Sequence, residues 1–371
     1  MKRLDVHFAA TYPIYIGTNL LANEQLVDYF KTIKQRMVIV TDSHLMKTLG
    51  QGLKNRLQTI QAHVDLLCIP AGETYKTRET KQQLEDHLFE KKLNRDICLI
   101  ALGGGMVTDL VGFVAATYCR GIPVIYFPTT LLAMTDASIG GKTGVDTPFG
   151  KNLIGAFYQP QAVFIDLNML SSLPAREWRN GSVEMLKHGL IRDAQLFYQL
   201  QTQIELNQDM NVLADLIYQN CAIKKSIIEQ DERDIGLRQI LNFGHTIGHA
   251  IELIERFQVS HGEAVAIGMI VEAYLAALMG MLDMNVVNTI EHTLRQHKLP
   301  LQTTAFADPA VFIQTLHLDK KSSSNHVYFV LLRAIGHTHH VQNKHTFPVE
   351  TALLDQALQW AHEKFLLCSD N

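Results

Sequence analysis

Two imidazoles four residues apart carry the first chemical signal. The segment Asn242-Phe243-Gly244-His245-Thr246-Ile247-Gly248-His249 puts His245 and His249 on one face of a helix, a spacing common in divalent-metal sites. The chain holds 17 histidines, so spacing must select among them, and spacing alone assigns both of these to a metal. An amphipathic helix with surface histidines satisfies the same pattern. His261-Gly262-Glu263 heads the next helical stretch, and Glu184 lies in Ser182-Val183-Glu184-Met185-Leu186-Lys187-His188. Three or four nitrogen and oxygen ligands without a thiolate suit Zn2+ or a similar ion, with one position left for substrate.

A second signal follows the apolar run Ile97–Leu102, where Gly103-Gly104-Gly105-Met106-Val107-Thr108-Asp109 stands. A buried strand, a glycine turn and a helix start bring backbone N–H groups and a positive helix end towards a diphosphate. The segment departs from the G-x-G-x-x-G fingerprint, because Thr108 occupies the place of the third glycine. A tight turn without a ligand fits it as well. Asp42, at the end of Met37–Thr41, suits a ribose hydroxyl or a helix N-cap. Asp136 to Thr143 ends in Gly-Lys-Thr, yet Asp136 stands where a phosphate-binding loop needs its first glycine and no strand directly precedes it. A phosphoryl-transfer loop is therefore rejected. Lys142, Lys151, Asn152 and Arg120 can still gather round one phosphate as donors, although any single lysine here also reads as a solvated side chain.

The elements that must position these residues change character along the chain. Seven short β-branched runs are predicted as strands: Leu4–Phe8, Pro13–Ile16, Met37–Thr41, Val64–Ile69, Ile97–Leu102, Val124–Phe127 and Val163–Ile165. Helical periods (His44–Gln58, Thr77–Lys92, Val107–Thr117) alternate with them, which implies a parallel, doubly wound sheet, and the first two runs are close enough for a hairpin. From Arg176 to about His297 helical periodicity dominates, with breaks expected at Gly236, Gly262 and Gly280, and Val327–Leu332 returns as a short strand. The fold class is thus an α/β nucleotide-binding domain with a parallel sheet over 1–174, followed by an all-α domain over 175–371. A cleft between two such halves is a common place for a cofactor.

Composition excludes several function classes. Among 371 residues, 47% are hydrophobic and 19% charged, a globular balance, and 33 basic against 37 acidic residues leave a net charge of −4. No long charge block occurs, so nucleic acid is not an expected partner. Five scattered cysteines without a Cys-x-x-Cys pair argue against a disulfide framework and for a reducing compartment. The N-terminus has no apolar stretch fit for a signal peptide. Ala264 to Leu282 approaches the length of a membrane span, but Glu272 lies within it, Gly268 and Gly280 interrupt it, and no aromatic or basic anchors flank it. A buried central helix, no membrane partner and a cytoplasmic location are expected.

At these residues the sequence resembles the 3-dehydroquinate synthase family, part of the sugar phosphate cyclases. The matching stretches are Gly103 to Asp109, Arg120 to Pro160, Gly181 to Ile191, Lys224 to Glu252 and His261 to Met269, with a shorter one at Asp319-Lys320-Lys321. The resemblance implies a carbon–oxygen lyase of the shikimate pathway that uses NAD+ and Zn2+ or Co2+. It would convert 3-deoxy-D-arabino-heptulosonate 7-phosphate into 3-dehydroquinate and phosphate by transient oxidation, elimination, re-reduction and intramolecular aldol closure. It implies Glu184, His245 and His261 as metal ligands, and His249 facing the substrate phosphate instead, which overrules the spacing argument. Lys142, Asn152 and Arg120 are implied for phosphate, Arg238, Asn242 and Lys224 for the carboxylate and hydroxyls, and Asp136 and Lys187 near the reacting carbon. One of Lys320 and Lys321 is implied at the carboxylate. NAD+ is implied to contact Asp42, Glu73, Lys76, Gly105, Asp109, Thr129, Thr130 and Lys151, with Lys142 and Ser172 also assigned to the cofactor set. A homodimer is implied as well.

The sequence departs from the family's pattern at Thr108, where a glycine is commoner, and at Ser171-Ser172-Leu173-Pro174, where Ser172 keeps a hydroxyl. Gly336-His337-Thr338-His339-His340 has no counterpart and reads as a solvated tail. Two rival activities are a related cyclase such as 2-deoxy-scyllo-inosose synthase, whose glucose 6-phosphate lacks a carboxylate, and a metal-dependent polyol dehydrogenase, which would accumulate NADH. A non-catalytic NAD+ or metal sensor is a third.

Overall fold

The computed structural model describes residues 1–8, 11–256, 258–317 and 327–367. Its contacts divide the chain into two compact units, Met1–Trp178 with Asn207–Lys225, and Arg179–Leu206 with Ser226–Asn371. Residues 207–225 thus group with the first unit although they follow the boundary read at 174.

In the first unit, seven strands form one sheet: β1 (Lys2–Val6), β2 (Tyr12–Gly17), β3 (Arg36–Asp42), β4 (Val64–Ile69), β5 (Ile97–Gly103), β6 (Val124–Pro128) and β9 (Ala162–Asp166). Their order is β1-β2-β9-β6-β5-β3-β4. Only the β1–β2 pair is antiparallel, as expected of a hairpin; the other pairs are parallel. Every residue of β5, β6 and β9 is buried, the near-continuous apolar pattern of parallel strands covered on both faces. Phe30, Phe127 and Phe164 stack at its heart, with the Phe127 and Phe164 rings 4.9 Å apart.

The parallel register decides which residues share an edge. Thr41 pairs with Leu102 and Gly103 with Pro128, so Asp42, the glycine turn and Thr129-Thr130 all emerge at the carboxyl ends of β3, β5 and β6. That edge is where open α/β sheets bind ligands. The helices α1 (Glu24–Thr32), α2 (Gln51–Gln58), α3 (Arg78–Glu90) and α4 (Gly105–Thr117) connect these strands. One hairpin was not anticipated: β7 (Lys142–Thr147) pairs antiparallel with β8 (Gly150–Phe157) and carries Lys142, Lys151 and Asn152. Mostly exposed or half-buried positions and interspersed glycines erase the alternation that would reveal β8 in sequence.

The second unit is built on α5 (Ala175–Arg192) from Arg179 onward, α6 (Ala194–Thr202), α8 (His245–Ile254), α9 (His261–Leu278), α10 (Met284–Gln296), α11 (Pro309–His317) and α12 (Thr351–Phe365). The helix α7 (Met210–Ile228) falls with the first unit as far as Lys225. Gly280, at φ 69°, follows the end of α9, but Gly262 is no break: it lies in the first turn of that helix, pressed against Asn180. Among the described residues α9 alone is long and apolar enough to cross a membrane, and 78% of it is buried within the protein.

The region read as all-helical also holds two small antiparallel pairs, β10 (Tyr328–Phe329) with β13 (Phe347–Pro348), and β11 (Leu332–Ala334) with β12 (His337–Thr338). The histidine-rich stretch is accordingly not a solvated tail. It folds back as a hairpin, with the Gly336 N–H donating to the Leu190 carbonyl at 2.8 Å and the His339 ring 4.4 Å from Phe347.

Candidate active site

In the second unit, three elements bring one side chain each to a common point. Glu184 comes from the middle of α5, fully buried; His245 is the first residue of α8; His261 is the first residue of α9. The Glu184 Oε1 lies 3.7 Å from His245 Nε2 and 3.6 Å from His261 Nε2, and one ligand atom from each residue falls within 4.8 Å of the others. Ligands at about 2.0–2.1 Å from a four-coordinate Zn2+ would stand roughly 3.3 Å apart, and the two distances from Glu184 exceed that by a few tenths of an ångström. The donor set, two imidazoles and a carboxylate, fits Zn2+ or Co2+. His249 is outside this group: its ring stands at 89° to that of His245 with centres 5.4 Å apart, and 6.4 Å from His261. The i, i+4 spacing brings two backbones close, but side-chain rotation decides whether two nitrogens converge.

Supporting groups sharpen the trio, and sequence spacing did not find them. Glu252, buried near the end of α8, faces the other ring nitrogen of His261, with Oε1 3.4 Å from Nδ1. This carboxylate–histidine arrangement orients a ligand ring and fixes its tautomer. Asn180 Oδ1 accepts the Gly262 N–H, and Ser260 with Glu263 forms a capping box, so both anchor the helix start that bears His261. Ser-x-x-Glu before an apolar run was the readable signal for that box. On α5, one turn after Glu184, the Lys187 ammonium donates to Glu184 Oε2.

The two histidines titrate in opposite senses. Burial, followed by the Lys187 ammonium, holds His245 well below its ordinary pKa, which keeps the ring neutral and able to ligate. Burial also works against the charged form of His261, but Glu252 and Glu184 outweigh it and push the pKa up to about 10. Below that pH an incoming cation must displace a proton from His261. Zn2+ affinity is therefore expected to fall as pH falls, by up to about tenfold per unit for one displaced proton. Calorimetric titration of Zn2+ at pH 7 in two buffers of different ionisation enthalpy should count about one proton released; a count of zero would contradict this.

Arg238 is buried in the same unit, its Nη1 donating to the Glu232 carbonyl at 2.7 Å. Asp231 folds this loop by accepting the N–H groups of Ile235, Gly236 and Arg238. Burial alone would raise the Asp231 carboxyl, but those amides and the Arg238 charge hold it below its ordinary value. Asn242, half-buried, closes the short helical turn Leu237–Asn242 just before His245.

In the first unit a second cluster forms. Lys76, buried, donates to Asp109 and, at 2.7 Å, to Asn152 Oδ1. Burial disfavours the Lys76 charge, yet Asp109, Glu73 and Asp146 together raise its pKa, while burial raises Asp109 despite Lys76. Glu73 Oε1 stands 3.8 Å from Lys151 Nζ. Asn152, expected at phosphate, is thereby joined to residues expected at the nucleotide. Gly104 caps α4 without any side-chain cap, and no acidic residue occupies its first turn, so the Gly105 end of the helix suits a diphosphate. Thr108 turns inward, its hydroxyl donating to the Gly105 carbonyl at 3.0 Å. Thr129 N–H donates to the Gly103 carbonyl, and Thr130 Oγ1 accepts from Ala133.

Asp42 caps the turn after β3 by accepting from the His44 and Leu45 N–H groups. Lys224 Nζ donates to both the carbonyl and the carboxylate of Asp136, each at 2.6 Å. Lys142 is exposed at the start of β7, Arg120 is exposed at φ 68° after α4, and Ser172 is exposed in the turn before α5. Lys320 and Lys321 lie outside the described residues.

Comparison with known proteins gives the family. A model of the 3-dehydroquinate synthase N-terminal domain matches residues 66–180, and one of the 3-dehydroquinate synthase C-terminal domain matches 181–322. The chain is 45% identical over 331 residues to a 3-dehydroquinate synthase of Pseudoalteromonas translucida, covering 88% of this chain and 92% of that one. The chain belongs to the 3-dehydroquinate synthase family. Among solved structures, 2-deoxy-scyllo-inosose synthase complexed with carbaglucose-6-phosphate, NAD+ and Co2+ superposes with a TM-score of 0.86 at 26% identity, covering 97% of this chain and 100% of that one. A 2-epi-5-epi-valiolone synthase from Streptomyces hygroscopicus with NAD+ and Zn2+ bound gives 0.85 at 28% identity, over 98% and 100%. Both family models lie across the stretches that hold the two clusters, Glu73 to Asn152 and Glu184 to His261.

Proposed function

We propose that the protein is the cyclase of its family, converting 3-deoxy-D-arabino-heptulosonate 7-phosphate into 3-dehydroquinate with release of phosphate. The identity of 45% to a curated 3-dehydroquinate synthase carries this reading, and the convergence of Glu184, His245 and His261 supports it. When bound, NAD+ supplies a reversible hydride acceptor and the divalent ion a Lewis acid for the substrate hydroxyl.

The chain's own residues do the rest. His245, neutral by burial, and His261, oriented by Glu252, present their Nε2 atoms with Glu184 to hold the ion. Lys187 keeps a proton donor beside that carboxylate. Arg238, a buried guanidinium ahead of Asn242, suits a bidentate carboxylate and favours this substrate over a sugar phosphate that has none. Lys142, Arg120 and His249 are assigned to the phosphate, and Lys224, locked on Asp136, to a hydroxyl near the reacting carbon. Asp42, Glu73, Lys76, Gly105, Asp109, Thr129, Thr130, Lys151 and Ser172 form the NAD+ set, in which the Lys76–Asp109–Asn152 network holds the β8 hairpin strand to α4. Holding an open-chain product in a ring-like conformation lowers the entropic barrier to the closing aldol.

A homodimer and a cytoplasmic location belong to the same reading; the burial of α9 and the net charge of −4 support a partner list of small molecules rather than lipid or nucleic acid. The deciding assay supplies the heptulosonate phosphate with NAD+ far below the substrate concentration. One inorganic phosphate per dehydroquinate, with no net NADH, is expected. Conversion of the NAD+ supplied to NADH, with turnover stopping once it is consumed, would point to a polyol dehydrogenase, and turnover of glucose 6-phosphate to a different cyclase.

A further inference from the structure

We propose that Glu272 is a positioning residue for the metal ligand His245, an inference that rests on the metal reading above. Glu272 is the charge that interrupts the apolar stretch of α9, and it is fully buried. A carboxylate in such surroundings is costly unless its oxygens are satisfied. Here they accept three backbone N–H groups of one neighbour: Gly244 at 2.8 Å, Thr246 at 3.1 Å and Ile247 at 3.3 Å. Those are the N-cap and first-turn amides of α8. Gly244 has no side chain and stands at φ 80°, so the helix cannot cap itself, and the carboxylate of another helix does so. The negative charge also meets the positive end of α8.

His245 lies between the amides that Glu272 holds. Its Nδ1 is 3.2 Å from the Phe243 carbonyl, an arrangement that turns Nε2 towards Glu184. Glu272 and His261 share α9, so Glu272 ties the backbone of one ligand to the helix that begins with the other. Gly268, four residues before Glu272 on the same face, makes the approach possible, since a Cβ there would stand 1.9 Å from the Gly244 carbonyl oxygen. Glu252 reaches from α8 to His261, and Glu272 reaches from α9 to the start of α8; each helix steadies the other's ligand.

The test is Glu272→Gln in the full chain, read by Zn2+ affinity in a chelator competition and by the visible d–d spectrum of the Co2+ protein. An amide keeps one acceptor oxygen and turns an N–H towards N–H groups, so at least one of the three bonds is lost. Zn2+ affinity should fall by about 10–100-fold, the usual cost of removing an outer partner of a ligand, and the Co2+ bands should shift. Glu272→Asp, which restores the charge on a shorter stem, should recover part of both. A folded Gln variant with Zn2+ affinity within twofold of wild type and an unmoved Co2+ spectrum overturns the proposal. If Glu272→Gln does not fold, Glu272→Asp is read by the same two measurements, with wild-type values again overturning it. Wild-type protein that itself binds no Zn2+ would bring down the metal reading along with this one, whereas equal binding by wild type and variant removes only the role of Glu272.

Discussion

Replacing His245 with alanine should leave a folded protein that neither retains Zn2+ nor releases phosphate from the heptulosonate phosphate. Two ligands would remain, Glu184 and His261, and Lys187 already donates to the Glu184 carboxylate. With the neutral imidazole gone, that ammonium competes with the ion for Glu184 at no entropic cost, since both side chains are already buried and in contact. Loss of an outer partner costs about 10–100-fold in affinity, and loss of a ligand itself should exceed that. His245 takes part in α8 mainly through its backbone, so helicity and melting temperature should change little in metal-free protein. Zn2+ content after dialysis, together with the rate of phosphate release, checks this. A variant that cyclises near the wild-type rate with its metal bound would remove His245 from the site.

Gly268→Ala should be among the most destabilising small substitutions in the second unit. In an exposed helix the change from glycine to alanine gains about 1 kcal/mol. At this position the added Cβ would meet the Gly244 carbonyl oxygen at 1.9 Å, its carbon at 2.9 Å and the Gly248 nitrogen at 3.0 Å. All three are backbone atoms, which cannot rotate aside as the end of a side chain can. The α8–α9 pair must part or slide, at the cost of overpacking a filled interior, about 1–3 kcal/mol and occasionally more. Thermal unfolding should therefore begin several degrees lower, and Zn2+ binding should weaken in step because His245 and His261 move apart. Gly52 is the control: nothing lies within 4 Å of a Cβ built there, so Gly52→Ala in α2 should be neutral or mildly stabilising. Equal melting temperatures for the two variants would refute the close-approach argument.

Much of the molecule was legible without coordinates because the relevant forces act locally. Strands β2, β3, β5, β6 and β9 appear as short apolar runs between turn residues, since burial on both faces leaves little polar alternation to obscure them, while β1 and β4 are short runs with polar, part-exposed positions among the buried ones. The glycine turn after β5 is readable for the same reason, as a backbone requirement written in consecutive residues. The helix read over Val107–Thr117 is α4, which is apolar and buried along most of its length, so its length and the glycine turn before it mark it rather than an amphipathic period. By contrast, β7 and β8 pair through glycines and half-exposed positions, so their identity as strands depends on each other rather than on either segment. Gly262 reads as a helix break because glycine is a poor helix former, and in the fold it is instead the residue small enough to let α9 start against Asn180.

The chain alone determined the kinds of atoms available for chemistry: imidazoles and carboxylates without thiolates, a glycine-lined strand end, and lysines and arginines suited to anions. It also determined an acidic charge balance and the resemblance through its local motifs. The tertiary structure decided which of these atoms meet. His245 and His249 are neighbours in sequence and on one helix face, yet the ring that joins His245 and Glu184 is that of His261, from the next helix. Helical spacing fixes backbone separation to within about 6 Å, whereas a metal tests nitrogen positions to within a few tenths of an ångström. That finer precision comes from packing, through the close contact of Gly268 with Gly244, the Glu272 carboxylate on the amides of α8 and the Glu252 carboxylate on His261, none of which local periodicity encodes.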